Sequence, residues 1–313
     1  MVQSSCPVCT GRGAVLISAT DRDGRPLKTV ACTGCGLYRT DPLPSADEIG
    51  RFHEKTYRQL YKGVRRPKLK HIHRSAKLAA ARLDRLEKYL GPRARVLDIG
   101  CASGEWLYVL GLRGHAAVGI EVDPSYAAFG REEYAADIRP GTEMSAEFPA
   151  GSFDCVTLFH VIEHLPDPLG ALERIRPWLS GEGVLAVEAP NVESPHQHPA
   201  KRFHYAHAVG FTPASLAYAL RKAGWRIEEI SLDAYERNLF AVARPGGEAR
   251  EGPPAAAALA EASGVVRYYL RASTYARWAG RMAQFLGEFR AARKGRSPKE
   301  IVGLAAGRPA MRK

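Results

Sequence analysis

Apolar positions follow two rhythms along this chain. Short runs, Val96 to Ile99, Ala116 to Ile120, Phe153 to Phe159 and Val184 to Val187, have the length and content of buried strands. Between them apolar residues recur at helical spacing. Ile72, Ala76, Ala79, Leu83, Leu86 and Leu90 form one stripe, closed by Gly91-Pro92. Trp106 to Leu112 predicts a second helix, and Asp123-Pro124 starts a third. Leu169, Leu172, Ile175, Trp178 and Leu179 mark a fourth, and Pro213 and Gly224 bracket a fifth over Thr212 to Ala223. A weaker strand is expected near Ala135 to Arg139, and Gly181-Glu182-Gly183 predicts a turn into the strand ending at Glu188. Strand and helix in alternation predict a largely parallel sheet. Arg226–Leu232 and Asn238–Arg244 are joined by a short loop and should pair antiparallel. Near the N-terminus, Val15-Leu16-Ile17 and Leu27 to Val30 flank the turn Asp21 to Gly24, a hairpin pattern. Near the C-terminus a Gly/Pro/Ala linker precedes Trp278, Met282, Phe285 and Phe289, an amphipathic helix flanked by Arg277, Arg281 and Arg293. The end, from Gly307, reads as frayed.

The 313 residues, 45% of them hydrophobic, suffice for one sizeable domain with smaller attachments. No apolar run approaches the ~20 residues of a membrane span, and no signal-peptide core is visible, so a cytoplasmic location is expected. Charge is distributed unevenly. Residues 51–95 carry fifteen Lys/Arg against three Asp/Glu, net +12, and residues 244–313 fourteen against five, net +9. Residues 96–243 carry eleven against twenty, net −9, and residues 1–50 balance at five each. An acidic domain with basic flanks suits phosphates, lipid headgroups or nucleic acid; a solvated Arg-rich surface is the plainer reading of the same flanks.

Four of the six cysteines form two C-x-x-C pairs, Cys6/Cys9 and Cys32/Cys35, separated by the hairpin. Two turns that each offer two thiolates can close a tetrahedral Zn²⁺ site. Neither pair starts a helix beside a strand–helix–strand unit, the setting of a redox motif. A structural zinc is expected in preference to disulfides. Cys101 and Cys155 read as small buried residues.

The candidate chemistry centres on Val96-Leu97-Asp98-Ile99-Gly100-Cys101-Ala102-Ser103-Gly104-Glu105: strand, glycine turn, then helix. Glycines there let the backbone approach a ligand closely. The order is not G-x-G-x-x-G, since Glu105 stands at the third glycine position. Asp98, two residues before Gly100, suits a ligand with an ammonium and a sulfonium better than a pyrophosphate. The stretch resembles motif I of class I S-adenosylmethionine-dependent methyltransferases. Ala102 stands where that family usually has glycine, which is tolerable if its φ is negative. Phe153-Asp154-Cys155-Val156, with His160-Val161-Ile162-Glu163-His164 and Pro168 beyond, resembles small-molecule methyltransferases akin to the ubiquinone-biosynthesis O-methyltransferases.

The resemblance covers about residues 95–244 and implies an α/β fold, a seven-stranded, mostly parallel Rossmann-like sheet with one reversed strand. Around it the reading places a zinc ribbon (1–45), a basic helical cap or linker (46–94) and a basic helical extension (245–313). The implied cofactor contacts are Asp98, Gly100, Cys101, Ala102 and Gly104, then Glu121 and Val122 at the second strand end. Glu143 and Met144 follow the third strand, where Thr142 replaces an expected acid, and His160 follows the fourth. The implied activity is methyl transfer to a small-molecule or glycan acceptor, at a hydroxyl, in saccharide or secondary-metabolite assembly. His164 and His204 are the candidate bases, since a histidine titrates near neutrality. His196, His198 and His207 lie in the same loop. Glu163 with His164 is alternatively a site for a divalent cation such as Mg²⁺. The basic flanks point to a lipid-linked acceptor and peripheral membrane contact. RNA as acceptor, or a non-catalytic cofactor-binding module, are the competing readings, and the oligomeric state is left open.

Overall fold

The computed structural model describes residues 4–57, 66–198, 201–247, 272–293 and 296–306. In chain order the elements are β1 (Ala14–Thr20), β2 (Pro26–Cys32), β3 (Tyr38–Thr40), α1 (Ala46–Phe52), α2 (Leu69–Leu86), β4 (Arg95–Ile99), α3 (Glu105–Leu112) and β5 (Ala116–Glu121). There follow α4 (Pro124–Tyr134), β6 (Asp137–Pro140), β7 (Phe153–Phe159), α5 (Pro168–Ile175), β8 (Leu179–Pro190) and β9 (Val209–Gly210). The last described elements are α6 (Pro213–Lys222), β10 (Trp225–Leu232), β11 (Asn238–Pro245), α7 (Ala272–Arg293) and α8 (Pro298–Ala305).

The strands form a seven-stranded sheet in the order β10-β11-β8-β7-β4-β5-β6 and a four-stranded sheet in the order β1-β2-β3-β9. β4, β5 and β6 run parallel, and β11 is antiparallel to both β8 and β10. β11 is therefore the reversed strand. The short β10–β11 loop dictates this, and Asp233 closes it by accepting from the Tyr235 and Arg237 N–H groups. Val96, Leu97 and Ile99 are buried although they point to alternate faces, as expected of a strand covered on both sides.

The chain clusters into two compact units. One comprises Met1–Phe52, Leu158–Pro177 and Gly181–Thr274; the other His53–Thr157, Trp178–Ser180 and Tyr275–Lys313. In the second, the stripe Ile72, Ala76, Ala79, Leu83 and Leu86 is buried, and α2 packs on α3 and α8. The sequence reading missed α8, although Ser297-Pro298-Lys299-Glu300 carries its signal. Ser297 Oγ accepts from the Glu300 N–H while Glu300 Oε2 accepts from the Ser297 N–H.

Two expectations are corrected. The weak strand starts at Asp137, because Ala135 (φ 52°) is the left-handed cap of α4, its N–H turned back to the Arg131 carbonyl. Gly181 and Gly183 make no turn. Neither adopts the positive φ that a glycine turn uses, and β8 runs through both from Leu179. On α7, Met282, Phe285, Leu286 and Phe289 are exposed, and Arg74 grips the buried Glu288 with two 2.8 Å bonds. The Trp278 side chain, Tyr61, the linker after Gly247 and the tail from Gly307 lie outside the described residues.

Candidate active site

In the second unit the glycine turn joins β4 to α3. Gly100 (φ 74°) and Gly104 (φ 84°) use left-handed backbone, and so does Ala102 at φ 49°, against the negative φ expected there. Its partner explains the conformation. The Ala102 N–H donates to Glu121 Oε2 at 2.8 Å, while Glu121 Oε1 accepts the Asp123 N–H at 2.8 Å. The turn lies tight on its neighbours, since a Cβ on Gly119 would collide with Cys101 Sγ. Left-handed alanine costs about 1 kcal/mol relative to glycine. Ala102→Gly is therefore expected to raise unfolding free energy by about 1 kcal/mol in urea titration, and an unchanged or lower value would contradict a strained turn.

Asp98 is buried, and the Thr157 hydroxyl donates to its Oδ1 at 2.6 Å. Burial pushes its carboxyl up to about 7, with Glu121 adding to the rise and Thr157 and Arg82 opposing it. Gly104 caps α3, and Glu105 behind it accepts from Ser103 Oγ. Cys101, Glu121 and Glu143 are buried, Val122 is half-buried, and Met144 is exposed.

In the first unit β7 exits into His160, whose backbone is left-handed (φ 58°) and whose N–H donates to the Glu188 carbonyl at 2.7 Å. The imidazole lies between two carboxylates, Nδ1 at 3.3 Å from Glu163 Oε1 and Nε2 at 3.0 Å from Glu188 Oε1. Burial alone would lower its pKa; the two acids outweigh that and raise it to about 9. The two carboxylates thus favour the protonated imidazole of His160. Glu163 is 1% exposed. His164 Nδ1 lies 2.6 Å from the Ala206 carbonyl. A carbonyl only accepts, so Nδ1 bears the proton and the neutral ring's lone pair is on Nε2.

The histidine loop comes to the same place. The His207 ring centroid is 4.9 Å from that of His164 and 3.9 Å from that of His204. Burial, with Arg22 and His164 nearby, pushes His204 down to about 3, and burial takes His207 well below its usual range. Ligand atoms of Glu163, His164 and His207 lie within 4.8 Å of one another. His196 and His198 do not join this cluster. On sequence Glu188 was only a strand end and His207 only one member of the histidine loop, with no role given to either. An acid ending the buried run Val184 to Val187 was the available signal for Glu188.

The four N-terminal cysteines, none in a disulfide, bring their sulfurs within 4.8 Å of one another, with Cys6–Cys35 at 3.5 Å and Cys9–Cys32 at 3.4 Å. The edge of a zinc–thiolate tetrahedron is ~3.8 Å, so the set fits the metal. Cys32 ends β2 and Cys35 precedes β3. β3 in turn pairs with β9 through Tyr38–Gly210 and Arg39–Val209, and Thr40 donates its N–H to the Ala208 carbonyl at 3.0 Å.

A family profile described as a methyltransferase domain matches residues 70–230, half of the chain, and the chain belongs to that family. It is an S-adenosylmethionine-dependent methyltransferase. Among curated proteins it is similar to the ubiquinone biosynthesis O-methyltransferase of Xanthomonas axonopodis pv. citri, 29% identical over 51% of this chain and 74% of that protein. It is also similar to the tRNA U34 carboxymethyltransferase of Dichelobacter nodosus, 33% identical over 44% of this chain and 47% of that one. Among solved structures, the 1,6-didemethyltoxoflavin-N1-methyltransferase of Burkholderia thailandensis shares the fold, with a TM-score of 0.52 at 20% identity over 70% of this chain and 96% of the other. The acidic cradle fits the donor's chemistry. A buried carboxyl held near 7 is relieved by an ammonium, and each Glu121 oxygen, accepting one N–H, keeps a lone pair for a ribose hydroxyl. Among the described residues no helix is long and apolar enough to cross a membrane.

Proposed function

We propose that this protein methylates a hydroxyl of a small-molecule or glycan acceptor, with His164 as the base that takes the hydroxyl proton. The observation that carries this reading is the 2.6 Å tether of His164 Nδ1 to the Ala206 carbonyl, which leaves Nε2 as the proton-accepting nitrogen. When bound, the donor supplies an electrophilic sulfonium methyl. Asp98 holds its ammonium, Glu121 its ribose, and the turn from Gly100 to Gly104 lies against it, with Val122, Glu143, Met144 and His160 as further contacts. In this reading residues 1–45 are a zinc ribbon, 46–94 a cap, 95–244 the methyltransferase domain and 245–313 an extension. A lipid-linked saccharide is the acceptor subclass that would also use the exposed stripe on α7. A second reading has a divalent cation, Mg²⁺ included, held by Glu163, His164 and His207, whose ligand atoms cluster.

The test is transfer of labelled methyl from S-adenosylmethionine to a panel of hydroxylated small molecules and glycans, with tRNA in parallel. Label in an alkali-stable O-methyl ether supports the reading; label only in tRNA overturns it.

Asp98 gives a separate expectation. Its folded pKa is raised, so the unliganded protein keeps the proton until the pH passes about 7. An ammonium-bearing ligand needs the carboxylate. S-adenosylhomocysteine should therefore bind about tenfold tighter per pH unit up to about 7 and level off above it. Asp98→Asn should flatten the profile and weaken binding by roughly 10–100-fold at pH 8. Calorimetric titration across pH 5.5–8.5 checks both, and an equally steep profile in the variant would remove Asp98 from the donor site.

A further inference from the structure

A small cavity lies wholly within the first unit, lined among others by Thr29, Tyr38, Arg39, Arg202, His204 and His207. It has room for one compact polar moiety. Its lining is rich in hydrogens without acceptors. Arg39 is 1% exposed; its Nη2 reaches the Ser4 carbonyl, but its Nε and Nη1 have no partner among the described residues. Arg202 gives Nη2 to the Ser194 carbonyl at 3.0 Å, and its Nε has no partner among the described residues. Among the described residues the buried Thr29 hydroxyl has none either.

The acids nearby are already engaged. Glu193 accepts the Tyr38 hydroxyl at 3.2 Å and faces Arg202, yet burial still leaves the Arg202 guanidinium's pKa lowered. Asp41 is paired with Lys28 at 2.8 Å. Among the described residues neither arginine has a carboxylate within ion-pair distance. Water can satisfy an N–H group but cannot neutralise two desolvated cations; an oxyanion does both, and arginine's planar fork is shaped for it.

We propose that this cavity is an oxyanion subsite, with Arg39 and Arg202 as its cations and Thr29 as a hydroxyl donor, and that it seats a carboxylate or phosphoryl group of the methyl acceptor. The link to the acceptor is His207, which lines the cavity and stands 4.9 Å, ring to ring, from His164. That link rests on the reading of His164 as the base that faces the acceptor. It narrows the substrate class to hydroxyl compounds that also carry an anionic group.

The site can be tested without turnover. The full chain is titrated with inorganic phosphate and, separately, with acetate, at ionic strength held constant with sodium chloride, and followed by thermal melting and calorimetry. Saturable binding of either anion is expected, the tighter one naming the class. Arg202→Gln and Thr29→Val should each weaken it at least tenfold; Arg202 reaches the cavity from a loop, so its variant should keep the fold even where an Arg39 variant does not. Absence of saturable binding beyond the chloride control would overturn the proposal, as would unchanged affinity in both variants. In turnover, a carboxylated hydroxyl acceptor should show kcat/KM at least tenfold above its neutral amide. If the anion binds but no hydroxyl acceptor is methylated, the subsite stands and the proposed function falls.

Discussion

Removing the proposed zinc from the four-cysteine site, or replacing Cys32 with Ser, is expected to reduce turnover at least 10²-fold while S-adenosylhomocysteine binds within about twofold of wild type. Structural zinc contributes ~10–16 kcal/mol in small zinc modules, so the turns at Cys6–Cys9 and Cys32–Cys35 would not persist without it. The connections of β3 carry that loss to the site. This strand begins three residues after Cys35 and carries β9 on its edge. The loop before β9 is further held by the Arg22 N–H on the Phe203 carbonyl at 2.8 Å and by Tyr38 stacked on Phe203 at 6.3 Å. The same loop supplies the Ala206 carbonyl that orients His164. On the proposed reading, losing the zinc would therefore release His164 from its tautomer and position. The proposed donor contacts Asp98, Gly100 to Gly104 and Glu121 belong to the other compact unit and should be indifferent. Metal analysis, turnover and calorimetry on the same preparation decide it. A zinc-free protein with full turnover would reduce the ribbon to an appendage.

Much of this was legible from residue patterns because burial period and turn chemistry are local. Val96 to Ile99 between Arg95 and Gly100 is a strand whatever surrounds it, and Asp123-Pro124 starts a helix on its own hydrogen bonds, the Asp123 carboxylate accepting from the Ser125 and Tyr126 N–H groups. The cysteine cluster was legible for the same reason, as its spacing is its geometry. What was not legible depends on contacts between distant segments. The two residues of β9 carry no strand signal and exist only because β3 offers an edge. The left-handed Ala102 is held by Glu121, nineteen residues away, and His160 by Glu188, twenty-eight away. His164 and His204 were both candidate bases on sequence, His164 first because its motif matches the family. What no pattern could show is the burial of His204, which with Arg22 and His164 nearby pushes it down to about 3.

That burial leads to the sharpest test of the chemistry. His164→Ala is expected to lower kcat by roughly 10²–10⁴-fold at neutral pH, with donor affinity unchanged within twofold. His204→Ala should cost far less, because an imidazole held near 3 is too weak a base to share the proton. Glu163 distinguishes proton transfer from metal assistance. It is buried, and its carboxylate is 3.3 Å from the His160 imidazole. If Glu163 only anchors His160, Glu163→Gln should reduce kcat modestly, and added Mg²⁺ or Mn²⁺ should change neither the variant nor the wild type. If Glu163, His164 and His207 instead hold a cation, Glu163→Gln should match His164→Ala in severity, and the wild type should lose activity on depletion of divalent ions and regain it on their return. Kinetics of the three variants with and without added divalent ions, run beside S-adenosylhomocysteine titrations, therefore assign the role. Near-full turnover in His164→Ala would leave alignment of donor and acceptor as the source of catalysis, with no side-chain base required.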